Sequence, residues 1–251
     1  MRSKGTERKS EKDSRVMGFF RKYCSEEWIA LLDHYRKKEF FRKGDMIFRE
    51  GDPVKGMFVI VEGKAKVISS FDSDKIRIIR LARDGHVLGF RGFGGKWLYP
   101  VTAVALTDLE AIMIPNNVFN QVLKGNNELI FYFLESLTDE LRRTEELTKR
   151  MTFMEVRERV ACAIISLIRI FGFDKEDPGL LAFTISRQDF ADYTGTTYES
   201  VVRTLSDLAK NGIIRIEGKA LRILDRAALH TIITSNAPEP ATRNKKNENA
   251  L

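Results

Sequence analysis

The stretch ISRQDFADYTGTTYESVVRTLSDLAKNGII, residues 185–214, has the spacing of two short helices joined by a tight turn. Ser186 is a suitable N-cap for the first helix, and Asp189, three residues later, can complete a capping box. Gly195 permits a turn that a Cβ would obstruct, and either of the two threonines that follow it can cap the second helix. Close crossing of the two helices is favoured by a small residue, a glycine and a β-branched residue, at Ala191, Gly195 and Val201. The pattern therefore predicts a helix-turn-helix.

The residues after the turn complete this unit. The second helix is expected to start around Thr197, and its buried stripe consists of three apolar residues at helical spacing, Val201, Leu205 and Leu208. Two apolar runs, 213–216 and 221–224, flank a turn at Glu217-Gly218-Lys219 and predict a β-hairpin. Two helices followed by a hairpin are typical of a winged helix-turn-helix.

The outward face of the second helix predicts contacts with DNA bases. Its candidate base-reading residues are Tyr198, Glu199, Val202 and Arg203. An arginine can bond to guanine through two hydrogen bonds, a glutamate can accept from cytosine N4, and a valine can touch a thymine methyl group. The alternative interpretation is that Glu199 and Arg203 form only a surface ion pair. The candidate phosphate-contacting residues, which would position the protein without specifying sequence, are Ser186, Arg187, Gln188, Thr197 and Lys219.

The chain before this unit changes from strand to helical periodicity. Short alternating runs punctuated by glycine occupy residues 40–115 and predict an antiparallel β-sandwich or roll. A short helix is expected over 117–123, with Gly125 as its left-handed C-terminal cap. Two longer helices are expected over 127–151 and 155–171.

The helix expected over 127–151 carries an apolar stripe at spacings of three and four. The residues of this stripe that we assign to dimerisation are Ile130, Leu134, Leu137 and Leu141. A helix of about 25 residues is roughly 38 Å long, which is more than a small domain needs. A two-helix coiled coil between subunits would bury the stripe. The alternative is that the helix lies on its own β domain.

Composition and charge are typical of a soluble globular protein and favour a polyanionic partner. The 251 residues carry a net charge of +7, and 43% of them are hydrophobic. No apolar run approaches the roughly 18–20 residues of a membrane span. The N-terminus lacks the apolar stretch of a secretory signal, so we expect a cytoplasmic location and no membrane partner. Residues 1–16, which are basic, and 235–251 contain few apolar side chains, and we expect both to be disordered.

Two parts of the chain resemble the CRP/FNR family of transcription regulators. The stretch FRKGDMIFREGDPVKGMFVIVEGKAKVI, residues 41–68, is similar to the start of a cyclic-nucleotide-binding β-roll. The long helix and residues 185–214 resemble the dimerisation helix and the DNA-binding domain of that family. By position, Glu199 and Arg203 correspond to the base-reading glutamate and arginine of the family, and Tyr198 to a variable contact position.

This resemblance implies an α+β fold with an N-terminal antiparallel β-roll, a long dimerisation helix and a C-terminal winged helix-turn-helix. The expected domains are the roll over 17–125, the dimerisation helix over 126–152 and the DNA-binding domain over 153–234. The implied function is that of a homodimer that binds a palindrome in double-stranded DNA and regulates transcription, with RNA polymerase as a partner. Signals received by the roll would change the spacing of the two recognition helices.

The sensor half departs from the pattern of family members that bind cyclic AMP. Those members carry a Gly-Glu whose glutamate holds the ribose and a later Arg-Ser whose arginine neutralises the phosphate. Here the corresponding positions are Gly89-Phe90 and Tyr99-Pro100, and a buried phosphate without a cationic partner is costly. Arg91 or Lys96 could substitute, but the simplest interpretation is that cyclic AMP is not the effector.

The chain also has few of the residues that bind the other effectors of this family. An iron–sulfur cluster needs about four cysteine ligands, and the chain has two, Cys24 and Cys162. Haem needs an axial ligand, and a lone histidine such as His34, His86 or His230 is more often structural. The candidate effector pocket consists of Phe90, Arg91, Trp97 and Tyr99. The alternative is that its aromatic side chains simply fill the roll.

Two other classes of function compete with a DNA-binding regulator. A cyclic-nucleotide-binding regulatory subunit of a signalling enzyme would use its C-terminal helices for protein contacts, and Phe90 with Tyr99-Pro100 argues against it. An enzyme would need a catalytic motif, and the chain shows no phosphate loop, nucleophile elbow or metal-ligand cluster. We therefore expect a regulator that is not an enzyme.

Overall fold

The structure is a computed structural model that describes residues 17–70 and 76–234. The termini that we expect to be disordered, 1–16 and 235–251, lie outside these described residues. The chain divides into two compact units between Thr148 and Lys149, here called the N-terminal and C-terminal units. No helix in the described ranges combines the length and hydrophobicity that a membrane crossing requires.

The N-terminal unit contains two antiparallel sheets. Its strands are β1 (Lys37–Phe41), β2 (Met46–Phe48), β3 (Gly56–Glu62), β4 (Lys64–Ser70), β5 (Ile76–Arg83), β6 (Val87–Leu88), β7 (Thr102–Ala105) and β8 (Leu109–Pro115). One sheet has the order β1-β8-β3-β6 and the other the order β2-β7-β4-β5. All of their strand pairs are antiparallel. The predicted antiparallel roll is confirmed.

Strand β3 is buried on both faces and separates two apolar clusters. Phe58 and Ile60 point into the interior between the sheets. Met57, Val59 and Val61 alternate with them and point into a second cluster beneath the helices. Those helices include α1 (Glu26–Tyr35) and α2 (Asn116–Gly125). The continuous apolar run in the sequence therefore belongs to a central strand with two covered faces.

Tyr99 closes the interior of the roll. Its side chain is 2% exposed, and its ring stacks on Phe48 with centroids 4.2 Å apart. The hydroxyl donates to the carbonyl of Gly56 at 2.8 Å and accepts the N–H groups of Lys55 and Gly56 at 3.2 Å. A Cβ on Gly56 would lie 2.3 Å from the Ile114 carbonyl oxygen, so this strand can pass its neighbour only with glycine. Tyr99 thus satisfies backbone groups that the sheet leaves unpaired.

Helix α2 ends differently from our expectation. Gly125 is the last residue of the helix and does not adopt the predicted left-handed conformation. A Cβ on Gly125 would lie 2.1 Å from the indole ring of Trp28. This glycine is explained by the close approach of an aromatic ring, and the capping prediction was wrong.

Helix α3 (Asn127–Phe153) has two neighbouring faces with different surroundings. Leu129 is fully buried, and Phe133 packs against Phe119 and Phe90 with ring centroids 5.5 and 6.2 Å apart. The stripe one residue further along is exposed by 41–61% and consists of Ile130, Leu134, Leu137 and Leu141. The alternative that this helix lies on its own β domain is therefore correct for one face, and it leaves the predicted stripe uncovered.

The C-terminal unit is a helical core with a hairpin. Its elements are α4 (Val156–Phe171), α5 (Arg187–Thr194), α6 (Tyr198–Lys210), β9 (Ile214–Glu217), β10 (Ala220–Ile223) and α7 (Arg226–Thr234). Helix α4 packs against α5, α6 and α7. Val160, Ile164 and Leu167 form its buried side, at the spacing the sequence predicts. The predicted winged helix-turn-helix and the α+β fold class are confirmed.

Replacing Tyr99 with phenylalanine should lower the free energy of unfolding of the N-terminal unit by about 1–3 kcal/mol, because buried backbone groups lose their partner. Both tryptophans of the chain, Trp28 and Trp97, lie in this unit. Urea unfolding followed by tryptophan fluorescence therefore reports on it. The control is Tyr35→Phe, since Tyr35 is 47% exposed. Equal stabilities of the two variants would contradict a structural role for the Tyr99 hydroxyl.

Candidate DNA interface

The turn between α5 and α6 is set by local hydrogen bonds. Ser186 caps α5, because its hydroxyl accepts the Asp189 N–H at 3.0 Å and donates to the Asp189 carboxylate at 2.6 Å. Gly195 has φ 62° and ψ 48°, a left-handed conformation that glycine adopts without strain. Its N–H and that of Thr196 both reach the carbonyl of Ala191. The chain therefore leaves α5 in one defined direction.

Helix α6 begins directly after this turn. Of the two threonines that could cap it, Thr197 does so by accepting the Ser200 N–H at 3.2 Å. Its inward residues, each at most 1% exposed, are Val201, Leu205 and Leu208. Burial of this stripe determines which residues of α6 point outward.

Arg159 on α4 contributes a contact that the sequence reasoning missed. Its Nη1 donates to the carbonyls of Thr194 and Gly195 at 3.1 and 2.9 Å. These carbonyls lie at the C-terminal end of α5, where helix carbonyls lack intrahelical partners and a cation is favourable. The available signal was a basic residue one turn into α4, but sequence does not show which helix end it reaches.

The four candidate base-reading residues all lie on the exposed face of α6. Tyr198 is 48% and Val202 38% exposed, and Glu199 and Arg203 are exposed as well. Within the described chain, neither Glu199 nor Arg203 makes a side-chain hydrogen bond or an ion pair. The surface ion pair between Glu199 and Arg203, which was the alternative interpretation, is therefore not formed. Both side chains are therefore available to an external partner.

The candidate phosphate-contacting residues lie at the N-terminal ends of α5 and α6 and on the hairpin. Ser186, Gln188, Thr197 and Lys219 are exposed, and Arg187 is half buried. Burial lowers the pKa of Arg187. The hydroxyls of Ser186 and Thr197 already serve as caps. Their assignment to phosphate contacts stays a prediction.

The hairpin is tied to the rest of its unit by Arg222. This arginine donates to both carboxylate oxygens of Asp177, at 2.7 and 2.5 Å, and at 2.6 Å to Glu217. The hydrogen bonds lower the pKa of both carboxyl groups. Arg222 is thus committed within the protein, whereas Lys219 is exposed beside Gly218, a turn glycine with φ 61°.

A cavity in the roll contains part of the expected effector pocket. Its volume is about 20 Å³, which is room for about one water molecule, and its lining includes Phe90, Arg91 and Tyr99. Trp97 lies outside this lining: it is 37% exposed and packs edge-on against Phe93, with ring centroids 5.5 Å apart. The assignment of these four residues to an effector pocket stays a prediction. Arg80 also lines the cavity, and the sequence reasoning missed it.

Replacing Arg159 with glutamine should destabilise the α5–α6 turn by about 1–3 kcal/mol, because two charge-assisted hydrogen bonds to carbonyls are lost. Hydrogen exchange of the amides of residues 190–201 should be correspondingly faster. The matched control is Arg169→Gln, an exposed arginine on the same helix. Unchanged exchange in Arg159→Gln would contradict the capping role.

Both units match protein-family models. The cyclic nucleotide-binding domain family matches residues 38–126, and the Crp-like helix-turn-helix domain family matches residues 158–232. Electron transport regulator A of Shewanella oneidensis is 27% identical over 211 residues, 84% of each chain. Transcriptional activator protein FnrA of Stutzerimonas stutzeri is 26% identical over 200 residues, 80% of this chain and 82% of that protein. FixK2 from Bradyrhizobium japonicum shares the fold, with a TM-score of 0.70 and 22% identity over 78% of this chain and 96% of that chain.

These comparisons agree with the geometry of the C-terminal unit. The relatives are transcription regulators rather than enzymes. The Crp-like match does not favour the alternative of a regulatory subunit without DNA binding. The family implies DNA binding and a dimer. The chain belongs to the CRP/FNR family of transcription regulators.

Proposed function

We propose that the protein binds a palindromic operator as a homodimer, with the outward face of α6 in the major groove. The observation that carries this proposal is the state of Glu199 and Arg203. Both are exposed and lack a side-chain partner within the described chain, on a helix whose opposite face is buried. Tyr198 and Val202 flank them and complete the reading surface. The two helix N-termini and Lys219 contact phosphates on either side of the groove.

The exposed stripe of α3 is the proposed dimer interface. Ile130, Leu134, Leu137 and Leu141 recur at spacings of four, three and four, which is the seam of a two-helix coiled coil. In one chain these side chains are 41–61% exposed, so pairing with the same stripe of a second copy removes apolar surface from water. Family membership supports this arrangement.

The proposed cellular location and the proposed protein partner follow from family membership. We place it in the cytoplasm, where the DNA is, and without a membrane partner. RNA polymerase is the proposed partner through which the bound dimer regulates transcription. These assignments rest on the family and not on particular side chains.

The effector is proposed to be neither cyclic AMP, nor haem, nor an iron–sulfur cluster. Against cyclic AMP, Phe90 occupies the position of the ribose-binding carboxylate and packs its ring against Phe133. Against a cluster, the chain has two cysteines, Cys24 and Cys162, where about four ligands are needed. Against haem, His34 and His230 are exposed on helices. His86 is not among the residues that line the cavity of the roll.

Arg203→Ala should weaken binding to the specific operator by about 1–3 kcal/mol and relax discrimination at one base pair in each half-site. The operator can be obtained by selection from random duplexes, and fluorescence anisotropy against operator and random DNA measures the loss. An equal loss on random DNA would place Arg203 on phosphate instead.

Lys219→Ala provides the contrast to this variant. A phosphate contact on the hairpin carries no sequence information, so its removal should weaken binding to all duplexes similarly. The slope of log affinity against log salt concentration should decrease by about 1 per lost contact. A loss confined to the operator would show that Lys219 reads bases.

Replacing Leu137 and Leu141 together with glutamate should give a monomer with poor operator binding, because four like charges would meet at the coiled-coil seam. Sedimentation velocity measures the oligomeric state. The control is Phe40→Glu, which introduces a charge at another exposed apolar residue, 66% exposed, on the roll. A stable dimer of the double variant would show that the dimer interface lies elsewhere on the protein.

A further inference from the structure

Arg80 places a positive charge at the edge of the roll's apolar interior. It lies on β5, where its Nη1 donates to the carbonyl of Val87 at 3.2 Å. Its guanidinium carbon lies 5.6 Å from the centre of the Phe90 ring. Burial lowers the pKa of Arg80, and the charge of Arg91 lowers it further, while the carboxylate of Glu140 acts in the opposite direction. Such a charge is costly without a negative partner.

Arg91 brings a second guanidinium to the same place. It lies in the turn Phe90–Gly92 between β6 and β7, and both arginines line the cavity of the roll. The remaining walls are largely apolar and include Phe48, Leu88 and Val101. Two like charges at one apolar-walled cavity repel each other, and an anion between them removes that repulsion.

Glu140 supplies the anion from within the chain. Its carboxylate accepts a hydrogen bond from Nη2 of Arg91, and the two side chains are only 25% and 34% exposed. Glu140 follows Leu129, Phe133 and the half-buried Ser136 at spacings of four, three and four, so it continues the face of α3 that packs on the roll. It therefore lies one residue before Leu141 of the exposed stripe.

We propose that Arg80 and Arg91 form an anion-binding site in the roll and that the Glu140 carboxylate is its resident occupant. The chain thereby holds α3 on the roll without an external ligand. A carboxylate or phosphate ligand that binds these two arginines must displace the Glu140 carboxylate from Arg91. The site stands independently of DNA binding, and only its role as a sensor rests on the proposed function.

Chemical rescue tests this site directly. Glu140→Ala removes a CH₂–COO⁻ group, which sodium acetate can replace. The probe is the thermal midpoint of the N-terminal unit, followed by tryptophan fluorescence in sodium acetate and in sodium chloride of equal concentration. In chloride the variant should melt about 2–4 °C below the wild type. Acetate should raise the midpoint of the variant towards that of the wild type, whose own midpoint should be the same in both salts.

Three controls make the result specific. Asp139→Ala removes a neighbouring carboxylate that is 58% exposed, and it should show no acetate response. Adding Arg91→Gln or Arg80→Gln to Glu140→Ala should abolish the rescue, because the acetate loses its partners. If Glu140→Ala does not fold, Glu140→Gln is measured instead with inorganic phosphate as the probe.

The salt response decides between the outcomes. Rescue of the Glu140 variant alone, lost in both double variants, supports the site. A response equal to that of Asp139→Ala, or one that persists without the arginines, overturns it. Because these measurements contain no DNA, a failure of operator binding would leave them unchanged.

Discussion

The aromatic contact between α3 and the roll is the interaction on which the rest of the N-terminal unit depends. Phe133 lies among Phe19, Phe90 and Phe119, with ring centroids 5.5–6.2 Å apart. Aromatic rings bury large apolar areas, so this contact determines the rotation of the helix about its axis. Successive helix residues point about 100° apart. With Phe133 inward, Leu134 is outward, and the exposure of the stripe follows from the packing of α3 on the roll.

The same contact connects the roll's cavity with the exposed stripe. Phe90 touches Phe133 at one side of the cavity, and Arg91, its neighbour in the chain, pairs with Glu140 two turns further along α3. An apolar contact and a charged contact thus hold the same helix face. The apolar one is insensitive to ligands, whereas the charged one can be exchanged for another anion. A ligand could therefore change the packing of α3 on the roll through the charged contact and not through the apolar one.

The proposed reading surface of the C-terminal unit is separated from the residues that support it. Val201, Leu205 and Leu208 hold α6 in place, and Gly195 and Arg159 define where it begins. None of these residues lies on the outward face. Substitutions at Tyr198 or Val202 can therefore change the surface that α6 exposes without disturbing the position of the helix.

Sequence reasoning succeeded where a periodicity or a backbone requirement is local. The roll, the hairpin and the α5–α6 turn were all predicted, because alternation, capping residues and Gly195 act over a few residues. It failed where a side chain meets a distant part of the chain. Gly125 was read as a helix cap because the approach of Trp28, about a hundred residues earlier, cannot be seen locally. Arg80 and Arg159 were missed for the same reason.

The sequence by itself determined the order of elements, the fold class and the residues on the outward face of α6. The order of elements and the outward face of α6 follow from short-range spacing and from the buried stripe of a single helix. The fold class follows from the family resemblance that these patterns carry. Only the tertiary structure decided that Glu199 and Arg203 are not paired with each other, that Tyr99 serves the backbone of Gly56, and that Glu140 reaches Arg91. The partners of Tyr99 and Glu140 lie on other elements of the fold. The side-chain rotamers of Glu199 and Arg203 are not determined by their spacing. Residue spacing along the chain therefore does not predict these three features.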